Sequence, residues 1–149
     1  MIDEIDSKIL TILQKEARTS NAEIARQLGM APSGILERIR KLEERGVIQG
    51  YRAEINPKAL GLGLLAFVFV RSNDRVNDIA TGKLLAQIPG VLEVHDTAGE
   101  DCYLVKIRAA DTESLGKIIR TQIGTIPSVL TTRTTIVLET LKESTEMPI

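Results

Sequence analysis

The chain has no tryptophan, one cysteine, one histidine and only four aromatic residues among its 149. A single cysteine, Cys102, excludes an intramolecular disulfide and a cysteine-based zinc site. It reads as a small core residue. The lone histidine, His95, has only scattered acids near it in sequence, so no metal is expected. No glycine-rich phosphate loop, Ser/His/Asp set or carboxylate pair at useful spacing is present, so neither an enzyme nor a cofactor is expected. No apolar run approaches the ~20 residues of a membrane span. The start of the chain is polar and carries no signal-peptide pattern, which makes a cytoplasmic protein the expectation.

An excess of charge of either sign is also missing. There are 19 Lys and Arg against 20 Asp and Glu, a net charge of −1. Nucleic-acid binding draws much of its affinity from neutralised phosphates. A neutral chain that binds DNA therefore has to rely on local distribution and on repetition within an oligomer. The first 56 residues hold nine basic and nine acidic residues, but Ala31 to Arg52 holds five basic against three acidic.

That stretch belongs to the most ordered pattern in the chain. Ser20 followed by Glu23 gives S-x-x-E, the capping box that opens a helix. Ile24, Ala25 and Leu28 share a face, and Gly29 ends the run. Pro32 then suits the first turn of a new helix, where its missing N–H had no partner anyway. Ile35, Ile39 and Leu42 recur at i, i+4 and i+7, and the opposite side carries Ser33, Glu37, Arg40 and Glu44. Two short helices about a glycine turn, the second with a polar and basic outer side, describe a helix-turn-helix. The same residues also suit an ordinary αα-hairpin. In the DNA-reading version Ser33, Gly34, Glu37, Arg38, Arg40 and Lys41 are the candidate contacts. Early positions reach base edges and later basic ones meet phosphates. Arg38 could pair a guanine and Glu37 could accept from a cytosine amino group.

Residues 3–16 supply a preceding helix with Ile5, Ile9, Ile12 and Leu13 inward, and Asp3 and Asp6 at the positive end of its dipole. Residues 50–56 alternate like a short strand that would serve as a wing or as the exit strand. Asn56-Pro57 and two glycines within 57–63 mark a hinge. Beyond it the elements read strand (64–71), helix (76–88), strand (91–96), strand (102–109), helix (115–123) and strand (129–141). The order βαββαβ is ferredoxin-like. An internal echo supports it: Ile88-Pro89-Gly90-Val91-Leu92 returns as Ile126-Pro127-Ser128-Val129-Leu130, each time joining a helix to a strand. The fold class is therefore α+β. The expected domains are a helix-turn-helix over 1–56, a hinge over 57–63, the βαββαβ domain over 64–143 and a loosely ordered tail over 144–149.

The first strand, LLAFVFVR, is apolar on both faces. In a ferredoxin-like sheet both helices cover one face, and a solvated second face should be polar. Leu64, Ala66, Val68 and Val70 point one way and Leu65, Phe67 and Phe69 the other; both faces need cover, and the chain has no third layer to supply it. A second copy is the simplest cover, so a homodimer through the sheets is expected.

Several motifs together resemble those of the Lrp/AsnC (feast/famine) regulators. They are IDxKILxxLQ (5–14), RxSNxEIA (18–25), ERIxxLExxGVI (37–48), GYxAxINP (50–57), the Gly99-Glu100 turn before Tyr103-Leu104, and Thr132-Arg133-Thr134. The resemblance covers residues 2 to about 143. It implies a DNA-binding regulator associated with the nucleoid, dimers assembling to an octamer, double-stranded DNA bound through the third helix, and a small amino-acid effector. Carried over by motif, the effector site comprises Gly99, Glu100 and Asp101, with Tyr103 behind the turn and Thr132 and Thr134 as hydroxyl donors across a seam with a neighbouring dimer. Two positions depart from the family pattern. Ala31-Pro32 stands for the usual Ser-Pro, and in the turn Asp101 stands at an aromatic's place and Cys102 at an acid's. Two rival readings are a metabolite-binding assembly module that never touches DNA, and a tetrapyrrole decarboxylase. The second would have to use His95, Arg108, Arg120 or Arg133, and four aromatics line a tetrapyrrole cavity poorly.

Overall fold

Three helices, α1 (Glu4–Lys15), α2 (Asn21–Leu28) and α3 (Pro32–Glu44), form the N-terminal part of the chain. The computed structural model describes residues 1–149 and divides them into two units, Met1–Glu54 with Lys142–Ile149, and Ile55–Leu141. In the first unit Ile9, Leu13, Ile24, Ala25, Ile35 and Ile39 meet in one apolar cluster, with Ile5, Ile12, Leu28, Met30 and Ile48 packed against it. Each fully buried isoleucine contributes about 1.5–3 kcal/mol by leaving water.

The ends of these helices follow from local chemistry. Asp3 caps α1 by accepting from the Asp6 N–H at 2.8 Å, while the Asp6 carboxylate accepts from the Asp3 N–H at 3.4 Å. This reciprocal box was not read from the sequence, where both acids counted only as dipole partners. The box expected at α2 is half formed. Ser20 accepts from the Glu23 N–H at 3.1 Å, but the Glu23 carboxylate turns to Arg26 and Gln27 instead. Gly29 closes α2 with φ +65°, a conformation that costs residues with a Cβ more. Ala31 gives α3 no side-chain cap, and Pro32 starts the helix without one.

Residues 50–56 form no strand, contrary to the alternating pattern. Alternation supplies two faces, but a strand also needs a neighbour to take its backbone hydrogen bonds, and none pairs with it here. The expected loose tail is also corrected in part. The Met147 N–H donates to Gln14 Oε1 at 2.5 Å and Gln14 Nε2 donates to the Met147 carbonyl at 3.1 Å, which ties residue 147 to α1.

In the second unit a 3₁₀ turn, Pro57–Leu60, precedes β1 (Leu64–Ser72), α4 (Ala80–Leu85), β2 (Val91–Asp96), β3 (Tyr103–Ala109), α5 (Thr112–Ile118), a π-helical turn at Ile119–Ile123 and β4 (Val129–Ile136). The sheet order is β2-β3-β1-β4, and each paired neighbour is antiparallel. This is the α+β, ferredoxin-like arrangement. The core unites Ala66, Val68 and Val70 of β1 with Tyr103, Val105, Ile107 and Ala109 of β3 and with Leu85, Ile88, Leu115, Ile123 and Ile126 of the helical layer.

Two elements are shorter than their patterns. Asn77 has φ +70° and breaks the helix expected from residue 76, so α4 begins at Ala80, where the Asp78 carboxylate accepts the first N–H. Val76 is left 92% exposed. β4 stops at Ile136 because β1, its only neighbour, begins at Leu64. The last bond runs from the Val137 N–H to the Leu65 carbonyl at 2.9 Å.

Candidate DNA interface and effector turn

Ile35, Ile39 and Leu42 bury one side of α3, so Ser33, Glu37, Arg40 and Lys41 stand exposed on the other, with Gly34 half-buried beside them. The outer charges satisfy one another. Arg40 donates to Glu37 through Nε at 3.0 Å and Nη2 at 2.8 Å, and also to Glu44; Lys41 Nζ lies 3.5 Å from Glu37. The Arg40 guanidinium holds the Glu37 carboxyl below the usual carboxylate range, so Glu37 is an anion at neutral pH. An exposed i, i+3 or i, i+4 pair of this kind is worth little to stability and opens readily for another partner.

Arg38 is placed differently from the expectation. Its Nη1 donates to Asp3 Oδ2 at 2.7 Å and to Asp6 Oδ1 at 2.8 Å. The side chain is 30% exposed and Asp6 only 10%. Two carboxylates at the head of α1 lie within its reach, so in this structure the guanidinium is an internal tether and not a free reader of a guanine.

The six effector candidates separate into three places. Gly99, Glu100 and Asp101 share the turn between β2 and β3, which is closed by the Thr97 N–H to the Cys102 carbonyl at 2.9 Å. Gly99 has φ +122° and open space around it. Tyr103, expected behind the turn, points into the helix-covered core and is 2% exposed. Its hydroxyl donates to Asp74 Oδ2 at 2.8 Å. The Thr81 hydroxyl donates to Asp74 Oδ1 at 2.6 Å and meets Ser128 Oγ at 2.5 Å. Burial and the Asp74 carboxylate push the Tyr103 hydroxyl up to about 12. Gly82 makes this packing fit, because a Cβ there would stand 2.6 Å from the Tyr103 ring. Ser128 is the position where the second copy of the echo departs from Gly90, which gives that difference a hydrogen-bonding role.

Thr132 and Thr134 pair with Val70 and Val68, residues of the helix-covered face, whereas Arg133 pairs with Phe69 on the opposite one. Within one chain the threonines therefore do not reach the turn. Arg133 does: its Nη2 donates to Asp101 Oδ2 at 2.9 Å, and its Cζ lies 4.2 Å from the Phe69 ring centroid. In the sequence Arg133 stands out only within the Thr132-Arg133-Thr134 motif and among the residues of the rival decarboxylase reading. The signal that could have singled it out was the register of β4 against β1.

The face with Phe69 also carries Leu65, Phe67, Leu104, Lys106, Arg108 and His95, and no helix of the chain covers it. His95 Nε2 lies 3.3 Å from Glu93. The rival decarboxylase set is thus divided, with His95, Arg108 and Arg133 on this open face and Arg120 in the helical layer. Cys102 is half-buried and accepts from the Ser72 N–H at 3.4 Å, a packing role. No group of three or more His, Cys, Asp and Glu side chains is arranged to hold a metal, and no helix is long and apolar enough to cross a membrane.

A helix-turn-helix whose second helix shows a polar side to solvent, joined in one chain to a βαββαβ unit, defines a DNA-binding regulator with a separate ligand-binding half. Residues 2–49 match the winged helix-turn-helix DNA-binding family and residues 65–147 the Lrp/AsnC ligand binding domain. The chain belongs to the Lrp/AsnC family of transcriptional regulators. It is 44% identical over 149 residues to the HTH-type transcriptional regulator FL11 of Pyrococcus horikoshii, covering 99% of this chain and 97% of that protein. Its fold is similar to that of a transcriptional regulator from Neisseria meningitidis in an L-Met complex, with a TM-score of 0.93 and 27% identity over 99% of this chain and 97% of that one. It is also similar to a feast or famine regulatory protein from M. tuberculosis complexed with L-methionine, with a TM-score of 0.90 and 33% identity over 99% of both chains.

Proposed function

We propose that this regulator reads double-stranded DNA through the outer side of α3 and responds to a small amino acid or a related metabolite through a change in assembly. The observation that carries the reading is the division of α3 into a buried apolar side and an exposed side bearing Ser33, Glu37, Arg40 and Lys41. Ser33 and the half-buried Gly34 sit at the start of the helix, where base edges are met. Glu37 is an acceptor for a cytosine amino group, and Arg40 and Lys41 exchange their carboxylate partners for phosphates.

Assembly supplies the affinity that one nearly neutral head lacks. Phe67, Phe69 and Leu104, all half-buried, form the centre of a sheet face that no helix covers, beside the already buried Leu65, and a second copy would bury them to give a homodimer. Higher assembly to an octamer would place the Gly99–Asp101 turn against a neighbouring dimer, the arrangement in which Thr132 and Thr134 could contribute from the other side. A zwitterion needs an acceptor for its ammonium and donors for its carboxylate. The turn offers Glu100 and Asp101 as acceptors, and Arg133 is the nearest cation. The two structural neighbours with methionine bound support an amino acid as the ligand class.

Selection of bound duplexes from a random pool, with and without a panel of amino acids, tests the whole reading. The expected result is a defined, two-fold symmetric site whose occupancy or complex size changes with at least one amino acid. Enrichment of no site from the pool would overturn it.

A further inference from the structure

The two carboxylates that hold Arg38 divide their oxygens without overlap. Asp3 uses Oδ1 to cap α1 and Oδ2 to receive Arg38; Asp6 uses Oδ2 to close the cap and Oδ1 to receive Arg38. One guanidinium thus joins the middle of α3 to the first turn of α1, and every carboxylate oxygen at the junction has a donor. Ile35 and Ile39 fix the depth of α3 and which side it buries, but apolar contact is non-directional and sets the fine rotation about the helix axis less sharply. The charged junction supplies direction, because hydrogen bonds between a planar guanidinium and carboxylates weaken steeply with angle. Ser33 and Glu37 precede Arg38 on the same helix, so the rotation that Arg38 fixes is the one that aims them.

We propose that Arg38 is a positioning residue for DNA recognition: tethered to Asp3 and Asp6, it sets the orientation of α3 and thereby sequence discrimination, without itself touching DNA. The proposal rests on the outer side of α3 being the DNA-contacting surface. Lys41→Ala examines that surface separately, since loss of a phosphate contact should lower the salt slope of binding by about one.

The test uses the full-length protein and two probes, the duplex selected from a random pool and a random-sequence duplex, each titrated across a range of salt. Asp3→Asn/Asp6→Asn keeps Arg38 and a competent N-cap but removes the charges that hold it. If Arg38 is a tether, this variant and Arg38→Met should lose selected-over-random preference by a similar factor, roughly tenfold on the scale of coupling between neighbouring side chains. The salt slope should stay unchanged, and Arg38→Lys should recover part of the loss. Two results would overturn the proposal. In one, Arg38→Met lowers the salt slope on both duplexes while the double Asp variant binds as well as or better than the parent, which would make Arg38 a phosphate contact. In the other, the double Asp variant keeps the full preference. Should Arg38→Met fail to fold, Asp3→Asn alone still decides, because it removes one of the two charges and retains the cap. Loss of the Lys41 effect with the Arg38 effect intact would count against the α3 surface and not against the tether.

Discussion

Asp101 and Arg133 are joined at 2.9 Å, and the same guanidinium lies over the ring of Phe69. The pair therefore links the turn proposed to receive the effector with the sheet face proposed to receive a second copy. An amino-acid ammonium arriving at Asp101 competes with Arg133. Asp101→Ala should abolish the heat of amino-acid binding in calorimetry while leaving the sedimentation of the ligand-free protein unchanged. Arg133→Gln should release Asp101 for the ammonium but remove the nearest cation from the ligand's carboxylate, so its heat should differ from the parent's without being abolished. Unchanged heats in both variants would place the ligand elsewhere.

The two faces of β1 should respond differently to charge. Phe67 lies half-buried on the uncovered face and Val68 is fully buried beneath the helices. Phe67→Glu should leave a folded chain by circular dichroism but shift sedimentation to a smaller species. Val68→Glu places an unpaired carboxylate in the core and should unfold the unit, at a cost on the order of several kcal/mol. A Phe67→Glu protein that sediments as the parent does would argue against assembly through this face.

Both tyrosines should resist deprotonation. Burial, with Asp74 beside Tyr103 and Glu43 beside Tyr51, pushes each hydroxyl up to about 12. The folded value lies above the unfolded value near 10, so the stabilisation is present in full below pH 10 and is lost as pH rises towards 12. Ultraviolet absorbance at pH 10 should show little tyrosinate in the native protein and about half ionisation in denaturant. Equal ionisation in both states would remove this account of Asp74 and Glu43.

Ile24 is completely buried where α2 meets its neighbours. Ile24→Ala should cost about 2–5 kcal/mol, read as a lower midpoint of thermal or urea unfolding, with loss of DNA binding following from loss of the unit. A change well below that range would mean that the three-helix core relaxes to fill the space.

The parts legible in the sequence were those fixed by periodicity and by backbone chemistry. Ile35, Ile39 and Leu42 announced the buried side of α3 and Gly29 its preceding turn, whereas β1 is apolar on both faces and only the packed helices distinguish Ala66, Val68 and Val70 as its inner one. What escaped depended on three-dimensional neighbours. Residues 50–56 had a strand's alternation but no partner. Asn77 broke a helix through one left-handed residue that its periodicity concealed. Arg38 had the chemistry of a base reader, and only the approach of α1 shows that Asp3 and Asp6 occupy it. Tyr103 was correctly linked to the turn in sequence, but strand parity directs its ring to the opposite side of the sheet. The pairing of Arg133 with Asp101 spans 32 positions and required the strand register.

Arg40 lies between Glu37 and Glu44, so in the free protein its charge is balanced by theirs. A reading surface that neutral has little hold on arbitrary sequence, and time lost to the vast excess of wrong sites falls accordingly. If α3 reads DNA as proposed, Glu37 would also act as a sentry. Opposite a base edge that offers only acceptors, its carboxylate would be desolvated against lone pairs, and the mismatch is rejected by repulsion as well as by a missing bond. On the proposed reading the acidic residues of this helix would do the discriminating, and the chain's lack of net positive charge would serve its selectivity.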